Sequence, residues 1–271
     1  SATTGGNATG TKLASPPRVG VNHAMPAATT SLGNRMLNVV SAPGETFEEV
    51  RDHPYLPWNW VVPLALAALV GVLFAVVAFS QPAVIDDMLR QQMAGIDRQV
   101  ESGKLTPEAA AAARDGMEKA RPYMGVLVMV FGGAGAVVGT LAFAFAVAFG
   151  LWLLSRFALG SPVEYWKLLE VVGLASVLHT ISTVATLFVV IYRGSITSSI
   201  SAAMLVPGLV PESPLFTLLS AVNPFMFWWL AVVALGWGML AGRAWLVTLG
   251  WLTGLYAVVF LGLAGLAQLR S

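Results

Sequence analysis

A compact group of ionisable residues that could support chemistry lies at positions 164, 167 and 170. Glu164, Lys167 and Glu170 are three residues apart, so in a helix they share one face and can form two ion pairs. A base beside a charge-stabilising group near lipid headgroups is the minimum for a membrane-embedded enzyme, such as a lipid-modifying one. The plainer interpretation is a capped helix start, because Ser161-Pro162-Val163-Glu164 fits a capping box with proline at the first helical position. A polar face that docks another subunit is a further alternative.

His179 is the histidine that lies inside an apolar stretch, and hydroxyl residues follow it at positions 180, 182, 183 and 186. An intramembrane histidine can ligate haem iron or a chlorophyll magnesium, or relay protons. His179 has no carboxylate on its own helix after Glu170, and His23 and His53 lie outside the apolar stretches. The sequence therefore favours an interhelical hydrogen bond and indicates no cofactor, although a bound lipid or pigment stays open.

Two further patterns concern helix shape and packing. Asn223-Pro224 inside an apolar stretch predicts a kinked helix, in which the asparagine side chain helps to satisfy the freed backbone groups. The GxxxG spacings of Gly135 with Gly139 and of Gly250 with Gly254 permit close approach of helices. The chain has no cysteine, and it contains no Walker loop, HExxH, GxSxG or dinucleotide fingerprint. No catalytic or metal site is predicted.

The composition shows what kind of elements must carry these residues. The chain is 56% hydrophobic and 11% charged, against about 25% charged residues in ordinary soluble domains. Its 15 basic and 14 acidic residues nearly cancel, so there is no basic surface for nucleic acid. The first thirty or so residues lack a continuous apolar core, and no cleavable signal peptide is expected. An integral membrane protein follows.

Five apolar stretches are long enough to cross a bilayer, whose hydrocarbon core of about 30 Å needs about 20 residues. They are residues 58–79, 125–154, 171–192, 215–240 and 245–269. The predicted fold class is an all-α, polytopic membrane helical bundle of about five transmembrane helices. A polar helical hairpin, residues 81–122, is predicted between the first and second spans. Its mixed charges are typical of a solvated surface or of one that docks a protein.

The residues before the first span divide into two segments. Residues 1–40 are rich in Ala, Thr, Gly, Asn and Pro and predict an extended, low-complexity tail, ordered only where a partner surface holds it. Residues 41–56 predict an interfacial amphipathic helix, because Thr46-Phe47-Glu48-Glu49 fits a capping box and Phe47 and Val50 share one face. His53-Pro54 ends that helix. The transmembrane domain covers residues 57–270.

The distribution of basic residues indicates the orientation. With five spans, Arg51, Arg156, Lys167 and Arg243 lie on the side of the N-terminus, against Arg193 and Arg270 on the other side. Because short cytoplasmic loops carry the excess of Lys and Arg, the N-terminus is predicted to be cytoplasmic. The six basic residues of the hairpin oppose this assignment, but seven acidic residues accompany them.

Three short motifs carry a family resemblance. They are Val-Ser-Ala-Pro-Gly-Glu-Thr-Phe-Glu-Glu-Val at residues 40–50, Ser-Pro-Val-Glu-Tyr-Trp-Lys-Leu from residue 161, and Asn-Pro-Phe-Met-Phe-Trp-Trp from residue 223. With the order of the spans, they make residues 38–268 resemble the Yip family of Ypt/Rab-interacting membrane proteins, in its bacterial form. The resemblance implies a five-helix membrane domain, a cytoplasmic N-terminus, partner binding and no enzymatic activity. The eukaryotic Rab-dependent role is not implied, since the acidic-aromatic loop signature is missing.

The expected function is a non-catalytic scaffold or accessory subunit of a larger membrane complex in the bacterial inner membrane, with an energy-transducing complex as one host. Its partners are membrane lipids and other membrane protein subunits, and not nucleic acid. The residues expected at partner or packing surfaces are Phe47, Gly135, Gly139, Glu164, Lys167, Glu170, Asn223, Pro224, Gly250 and Gly254. The alternative is a small-solute transporter or channel that uses the polar stripe of the third span and the kinked fourth span.

Overall fold

The structure, a computed structural model, describes residues 1–3, 5, 30–206, 208–209 and 213–270, with the backbone alone at 214 and 263–270. In this part of the chain the helices are α1 (Leu32–Ser41), α2 (Pro43–Asp52), α3 (Trp58–Phe79), α4 (Pro82–Glu101), α5 (Pro107–Phe157), α6 (Tyr165–Arg193), α7 (Pro214–Ala221), α8 (Pro224–Ala241) and α9 (Trp245–Arg270), with a 3-10 turn at Ala202–Leu205. Five of them, α3, α5, α6, α8 and α9, are long and apolar enough to cross a membrane. The predicted fold class is confirmed.

Helices α3 and α6 run side by side in the same direction at the centre of the bundle. Trp60, near the start of α3, lies against Gly173, near the start of α6, and Ala78 packs with Val190 near their ends. A Cβ atom on Gly173 would lie 2.3 Å from the Trp60 Cα. Only glycine therefore lets these two helices approach so closely.

Helix α5 forms both the second arm of the hairpin and the second span. It runs unbroken for 51 residues, about 76 Å at 1.5 Å per residue. A Cβ atom on Gly125 would lie 3.4 Å from the carbonyl oxygen of Phe79, the last residue of α3. The part of α5 before Gly125 is about 27 Å long and extends beyond the end of α3. Helix α4 lies antiparallel to this part of α5, and Asp86 of α4 forms an ion pair with Arg121 of α5 at 3.0 Å.

Helices α1 and α2 pack on the end of the bundle where α3 and α6 begin. Phe47 of α2 is fully buried. A Cβ atom on Gly236 of α8 would lie 2.9 Å from the Phe47 ring and 2.7 Å from Val171 of α6, so glycine provides the space for the ring. Val39 and Val50 join the same core. Because α3 separates them, the α1–α2 pair and the hairpin lie on opposite sides of the membrane.

The structure corrects the boundaries of the N-terminal segments. Helix α1 occupies residues 32–41, so the last residues of the predicted extended tail, 1–40, are helical. Residues 6–29 of that tail lie outside the described part. Helix α2 begins at Pro43 with Ala42 as its N-cap, so the capping box predicted at residues 46–49 is wrong. Glu49 instead accepts hydrogen bonds from Arg35 and from the Thr30 backbone. His53 is the C-cap of α2, as the His53-Pro54 signal predicts.

Two other predicted helix signals are wrong in detail. Helix α6 begins at Tyr165 without a side-chain cap from Glu164, and the Ser161 hydroxyl donates to the Ala241 carbonyl at 2.7 Å. At Asn223-Pro224 the chain forms a break between α7 and α8 and not a kink within one helix. The Asn223 Oδ1 accepts from the Phe225 N–H at 2.8 Å and so caps α8. At Ser161 a tertiary hydrogen bond replaces the predicted capping box, and at Asn223 a helix cap replaces the predicted kink.

Candidate functional site

Five polar residues from four helices meet in a buried network at the α1–α2 end of the bundle. We call this network the polar clamp; it consists of Arg35, Glu49, Asn59, Lys167 and Glu170. Two acidic and two basic side chains balance in charge, and the neutral Asn59 joins the two ion pairs. Such a network is stable when most of its donors and acceptors are paired.

Glu170 is the most deeply buried member of the polar clamp, with no exposed surface. Its carboxylate accepts a hydrogen bond from Asn59 Nδ2 at 2.5 Å and another from the Leu56 backbone N–H at 3.2 Å. The Lys167 ammonium lies one turn earlier on α6, 3.4 Å from the same carboxylate. Both oxygens of Glu170 are therefore engaged by structural partners.

Lys167 connects α6 to the end of α2. Its ammonium donates to the carbonyl oxygens of Val50 and His53, each at 2.6 Å. These carbonyls belong to the last turn and the C-cap of α2, where unpaired backbone oxygens carry partial negative charge. Lys167 thus fixes the end of α2 onto the membrane domain.

Arg35 completes the polar clamp from α1. Its guanidinium donates to Asn59 Oδ1 at 3.0 Å and to Glu49 Oε1 at 2.8 Å, while its Nε is buried without a partner among the described residues. The Thr30 N–H also donates to Glu49 Oε1, at 2.8 Å. Burial alone would raise the pKa of Glu49, but the hydrogen bonds from Arg35 and Thr30 and the charge of Arg35 together hold it below its usual value.

The polar clamp uses only part of the ionisable cluster predicted from the sequence. The Lys167–Glu170 pair is present, but Glu164 is exposed at the N-cap of α6 and stands apart from the buried carboxylate. Sequence reasoning missed Arg35 and Asn59. The signals for them were an arginine in a segment with apolar residues at helical spacing, and a lone asparagine at the start of an uncharged span.

A cavity of about 390 Å³ lies near the middle of the bundle between α3, α5, α6 and α8. His179 lines it, and the interhelical hydrogen bond predicted for this residue is not formed in the described part of the chain, where Nε2 is buried without a partner. The imidazole packs instead against the rings of Phe143 and Trp229, with centroids 5.6 and 5.0 Å away. The hydroxyls of Thr180 and Thr183 donate to backbone carbonyls of α6, so these two residues of the polar stripe are satisfied within their own helix.

The four glycines of the GxxxG motifs do not mediate contacts between the described helices. A Cβ atom on Gly135, Gly139, Gly250 or Gly254 would meet nothing within 4 Å. Gly139 lies in the wall of the His179 cavity. The close contacts are made instead by glycines at positions 71, 173 and 236, which have no GxxxG partner, so the motif did not identify them.

The five apolar helices define the class of this chain as an integral, polytopic helical membrane protein. No protein-family model, no curated protein and no solved structure matches it. Within the part of the chain that the structure describes, no group of three His, Cys, Asp or Glu residues is placed to hold a metal ion. The function has to be inferred from the arrangement of its own residues.

Proposed function

We propose that this chain is a non-catalytic membrane scaffold or accessory subunit of a larger membrane protein assembly. The observation that carries the proposal is the two-sided arrangement of the bundle. One side holds a helical pair fixed by the polar clamp, and the other side carries a hairpin that extends about 27 Å beyond α3. Membership of the Yip family, which the sequence motifs suggest, is part of the proposal, as is the bacterial inner membrane.

The hairpin is attached at its base and free along its length. Val84, near the start of α4, is buried with Ala78 and Val190 of the membrane domain. Farther out, the residues of the tip, including Glu101, Lys104 and Glu108, are exposed or nearly so. A helical projection with an exposed tip offers a surface to another subunit, which supports the role of a scaffold.

Outward-facing glycines support the same role within the membrane. Gly135 on α5 and Gly250 and Gly254 on α9 have open space where a Cβ would lie. Small residues on an outward face allow a helix of another subunit to approach closely. The proposed contacts are therefore made by the hairpin, the α1–α2 end and these helix faces.

The orientation that we propose places α1 and α2 in the cytoplasm. Arg51, Arg156 and Arg243 flank the spans at the α1–α2 end, whereas Arg193 flanks them at the other end. Arg243 donates to the Leu159 carbonyl at 2.6 Å, which ties the two loops at this end together. The excess of short-loop positive charge supports a cytoplasmic location for this end, and the hairpin then projects to the opposite side.

The test is purification from native membranes in a mild detergent, with mass spectrometry of the co-migrating proteins. We expect a stoichiometric set of partners and photo-cross-links from Ala111 on the exposed hairpin. The variant Glu101→Lys with Glu108→Lys should lose the partner that cross-links to the hairpin while keeping the unfolding temperature of the parent. The matched control is Glu48→Lys at the α1–α2 end, which should keep the partner that cross-links to the hairpin. A chain that runs alone, without cross-links from the hairpin, contradicts the proposal.

A small-solute transporter or channel is the second candidate, and one observation favours it. Helix α8 starts at Pro224, about 8 Å along the helix from Trp229, which contacts His179 near the middle of the bundle. Helix breaks at this depth line the substrate sites of many transporters. Flux into liposomes that disappears in both His179→Ala and Asn223→Leu would favour transport over the scaffold. Flux that is absent, or equal in parent and variants, removes this candidate.

A further inference from the structure

Two residues whose buried polar atoms lack hydrogen-bond partners line one cavity in the membrane centre. In the described residues, four buried side-chain nitrogen or oxygen atoms lack a hydrogen-bond partner, and two of these are His179 Nε2 and Trp229 Nε1. Both residues line the cavity of about 390 Å³, and their ring centroids are 5.0 Å apart. Trp229 is 2% exposed. Because a buried unpaired polar group is strongly unfavourable, the pair indicates a site for a molecule that supplies the missing partner.

The chemistry of the two side chains restricts what that molecule is. An indole N–H only donates, so the molecule must offer an acceptor to Trp229. A neutral imidazole with its proton on Nε2 gives a second donor. A carbonyl oxygen has two lone pairs and can accept from both. Charged ligands are disfavoured, because the remaining lining is almost entirely apolar and holds no ionised side chain.

The lining of the cavity suits a ring compound because it is rich in aromatic side chains. Phe143, Trp229 and the imidazole form a cluster of three rings in mutual contact, with Phe143 perpendicular to the imidazole at an interplanar angle of 82°. Apolar residues such as Leu64 and Met226 form much of the remaining surface. The volume lies within the range of about 300–1,000 Å³ that is usual for small-molecule sites. Phe143 is 42% exposed, so the cavity reaches the outer surface of the bundle and can be entered from the bilayer.

The depth of the cavity distinguishes between two sources of a carbonyl group, the ester groups of phospholipids and a molecule dissolved in the hydrocarbon core. His179 is the central residue of α6, about 21 Å from each end of that helix, and Ala67 and Gly71 line the cavity from the middle of α3. The ester carbonyls of phospholipids lie at the edges of a hydrocarbon core about 30 Å thick. A carbonyl at the centre must therefore belong to a molecule dissolved in the hydrocarbon itself.

We propose that this cavity binds a lipid-dissolved ring carbonyl compound of the quinone class, whose carbonyl oxygen accepts hydrogen bonds from Trp229 Nε1 and His179 Nε2. The proposal concerns binding and requires no electron transfer by the chain. It is independent of the scaffold role, and it gives a function to the one histidine of the spans.

The experiment uses the full-length protein in detergent micelles and a decyl-substituted benzoquinone as the probe. Binding is followed by the rise of the unfolding temperature and by the saturable quenching of tryptophan fluorescence. Decylbenzene, which has the same tail on a six-membered ring of similar size but no carbonyl groups, is the control ligand. We expect the quinone to bind saturably and decylbenzene to have no comparable effect. Equal effects of the two ligands would mean an apolar void and would overturn the proposal, as would the absence of saturable quinone binding.

Variants of the two donors test the hydrogen bonds. Trp229→Phe and His179→Phe should each weaken quinone binding about tenfold, the effect of losing a buried hydrogen bond. Trp228→Phe is the matched control on the exposed side of α8, where Trp228 is 40% exposed, and it should bind as the parent does. If the two donor variants lower the unfolding temperature of the ligand-free protein and the quinone has no effect on the parent, Trp229 and His179 satisfy each other and the proposal fails.

A second pair of variants does not alter the donors. Gly139 lines the cavity and Gly135 does not, and both have open space where a Cβ would lie. Gly139→Leu should fill the cavity and abolish quinone binding in a folded protein, whereas Gly135→Leu should bind like the parent. Equal quinone affinity in the two variants would place the binding elsewhere and overturn the proposal.

Discussion

The polar clamp and the hairpin both join helices through charged side chains, yet they do so in opposite environments. Glu170 has no exposed surface, and the side chains of Arg35 and Glu49 are 7% and 14% exposed. In the hairpin, the paired side chains of Arg121 and Asp86 are 52% and 45% exposed. Water and salt screen the hairpin pairs, so each contributes about 0–1 kcal/mol, while removal of one partner from a buried pair costs about 3–5 kcal/mol.

This difference separates charges that position helices from charges that keep a surface hydrated. The polar clamp fixes α1 and α2 on the membrane domain. Departure of α1 would leave Glu49 without Arg35, and departure of α2 would leave Lys167 without the Val50 and His53 carbonyls. The hairpin is held by its continuity with α3 and α5 and by buried apolar side chains, Val84 at its base and Leu89 and Ala110 farther out. Its charged face can exchange internal ion pairs for contacts with a partner at small cost. We expect mutations to distinguish the two ends clearly.

The largest expected effect is that of Glu170→Gln. The amide keeps the shape of the carboxylate but leaves the buried Lys167 ammonium without its balancing charge, so the free energy of unfolding should fall by about 3–5 kcal/mol. Denaturant unfolding in mixed micelles measures this change in the free energy of unfolding. The matched control is Glu164→Gln, two turns or so earlier on the chain and exposed, which should change stability by less than about 0.5 kcal/mol. Similar losses in both variants would remove the distinction between buried and exposed charges.

A second large effect is expected at Gly173, where α3 and α6 cross. The Cβ of Gly173→Ala would lie 2.3 Å from the Trp60 Cα, and the helices must separate because the contact is with backbone. The free energy of unfolding should fall by about 1–3 kcal/mol, the usual range for overpacking. Gly135→Ala, where a Cβ meets nothing within 4 Å, is the control and should be neutral. An unchanged stability of Gly173→Ala would mean that α3 and α6 can separate at little cost and that glycine is not required at this contact.

A smaller effect is expected from acid at the Arg35–Glu49 pair. The pKa of Glu49 in the folded protein lies below its ordinary value of 4.5, so the unfolded chain binds this proton more tightly. The stabilisation by Glu49 is therefore complete above about pH 4.5 and is lost as the pH falls through the folded-state pKa. The difference in unfolding temperature between the parent and Glu49→Gln should shrink over that interval. Glu48→Gln replaces an exposed neighbouring carboxylate of α2 and is the control. If its difference in unfolding temperature from the parent shrinks with acid in the same way, the Arg35–Glu49 pair does not cause the pH dependence.

The sequence predicted the spans well because their signal is local. A run of apolar residues without charge defines α3 at residues 58–79, and the structure places that helix at the same residues. The hairpin was predicted from the polar, mixed-charge composition of residues 81–122, and the Thr106 side chain caps the start of its second helix. The continuous helix through residue 122 was not predicted, because proline commonly ends a helix; the structure accommodates Pro122 inside α5.

The polar clamp was only partly predictable, because its contacts join residues far apart in the chain. Asn59 and Glu170 are separated by 111 positions, and no periodicity relates them. Lys167 and Glu170 were found because helical spacing pairs them locally. Arg35 was assigned to a low-complexity tail, although Ser31 caps a helix there and Met36 and Val39 pack against the core. The lone Asn59 in an uncharged span was the clearest unused signal.

The smallest expected effect lies in the hairpin and tests the comparison from its other side. A double-mutant cycle with Asp86→Ala and Arg121→Ala should give a coupling energy of about 0.2–1 kcal/mol at low salt, falling as salt is added. The same cycle with Arg35→Ala and Glu49→Ala should give a larger coupling that depends less on salt, since this pair is mostly buried. A hairpin coupling equal to that of the polar clamp, and insensitive to salt, would mean that α4 is locked onto α5. The ion pairs would then hold α4 and α5 together, and the charged side chains would not be available to bind a partner.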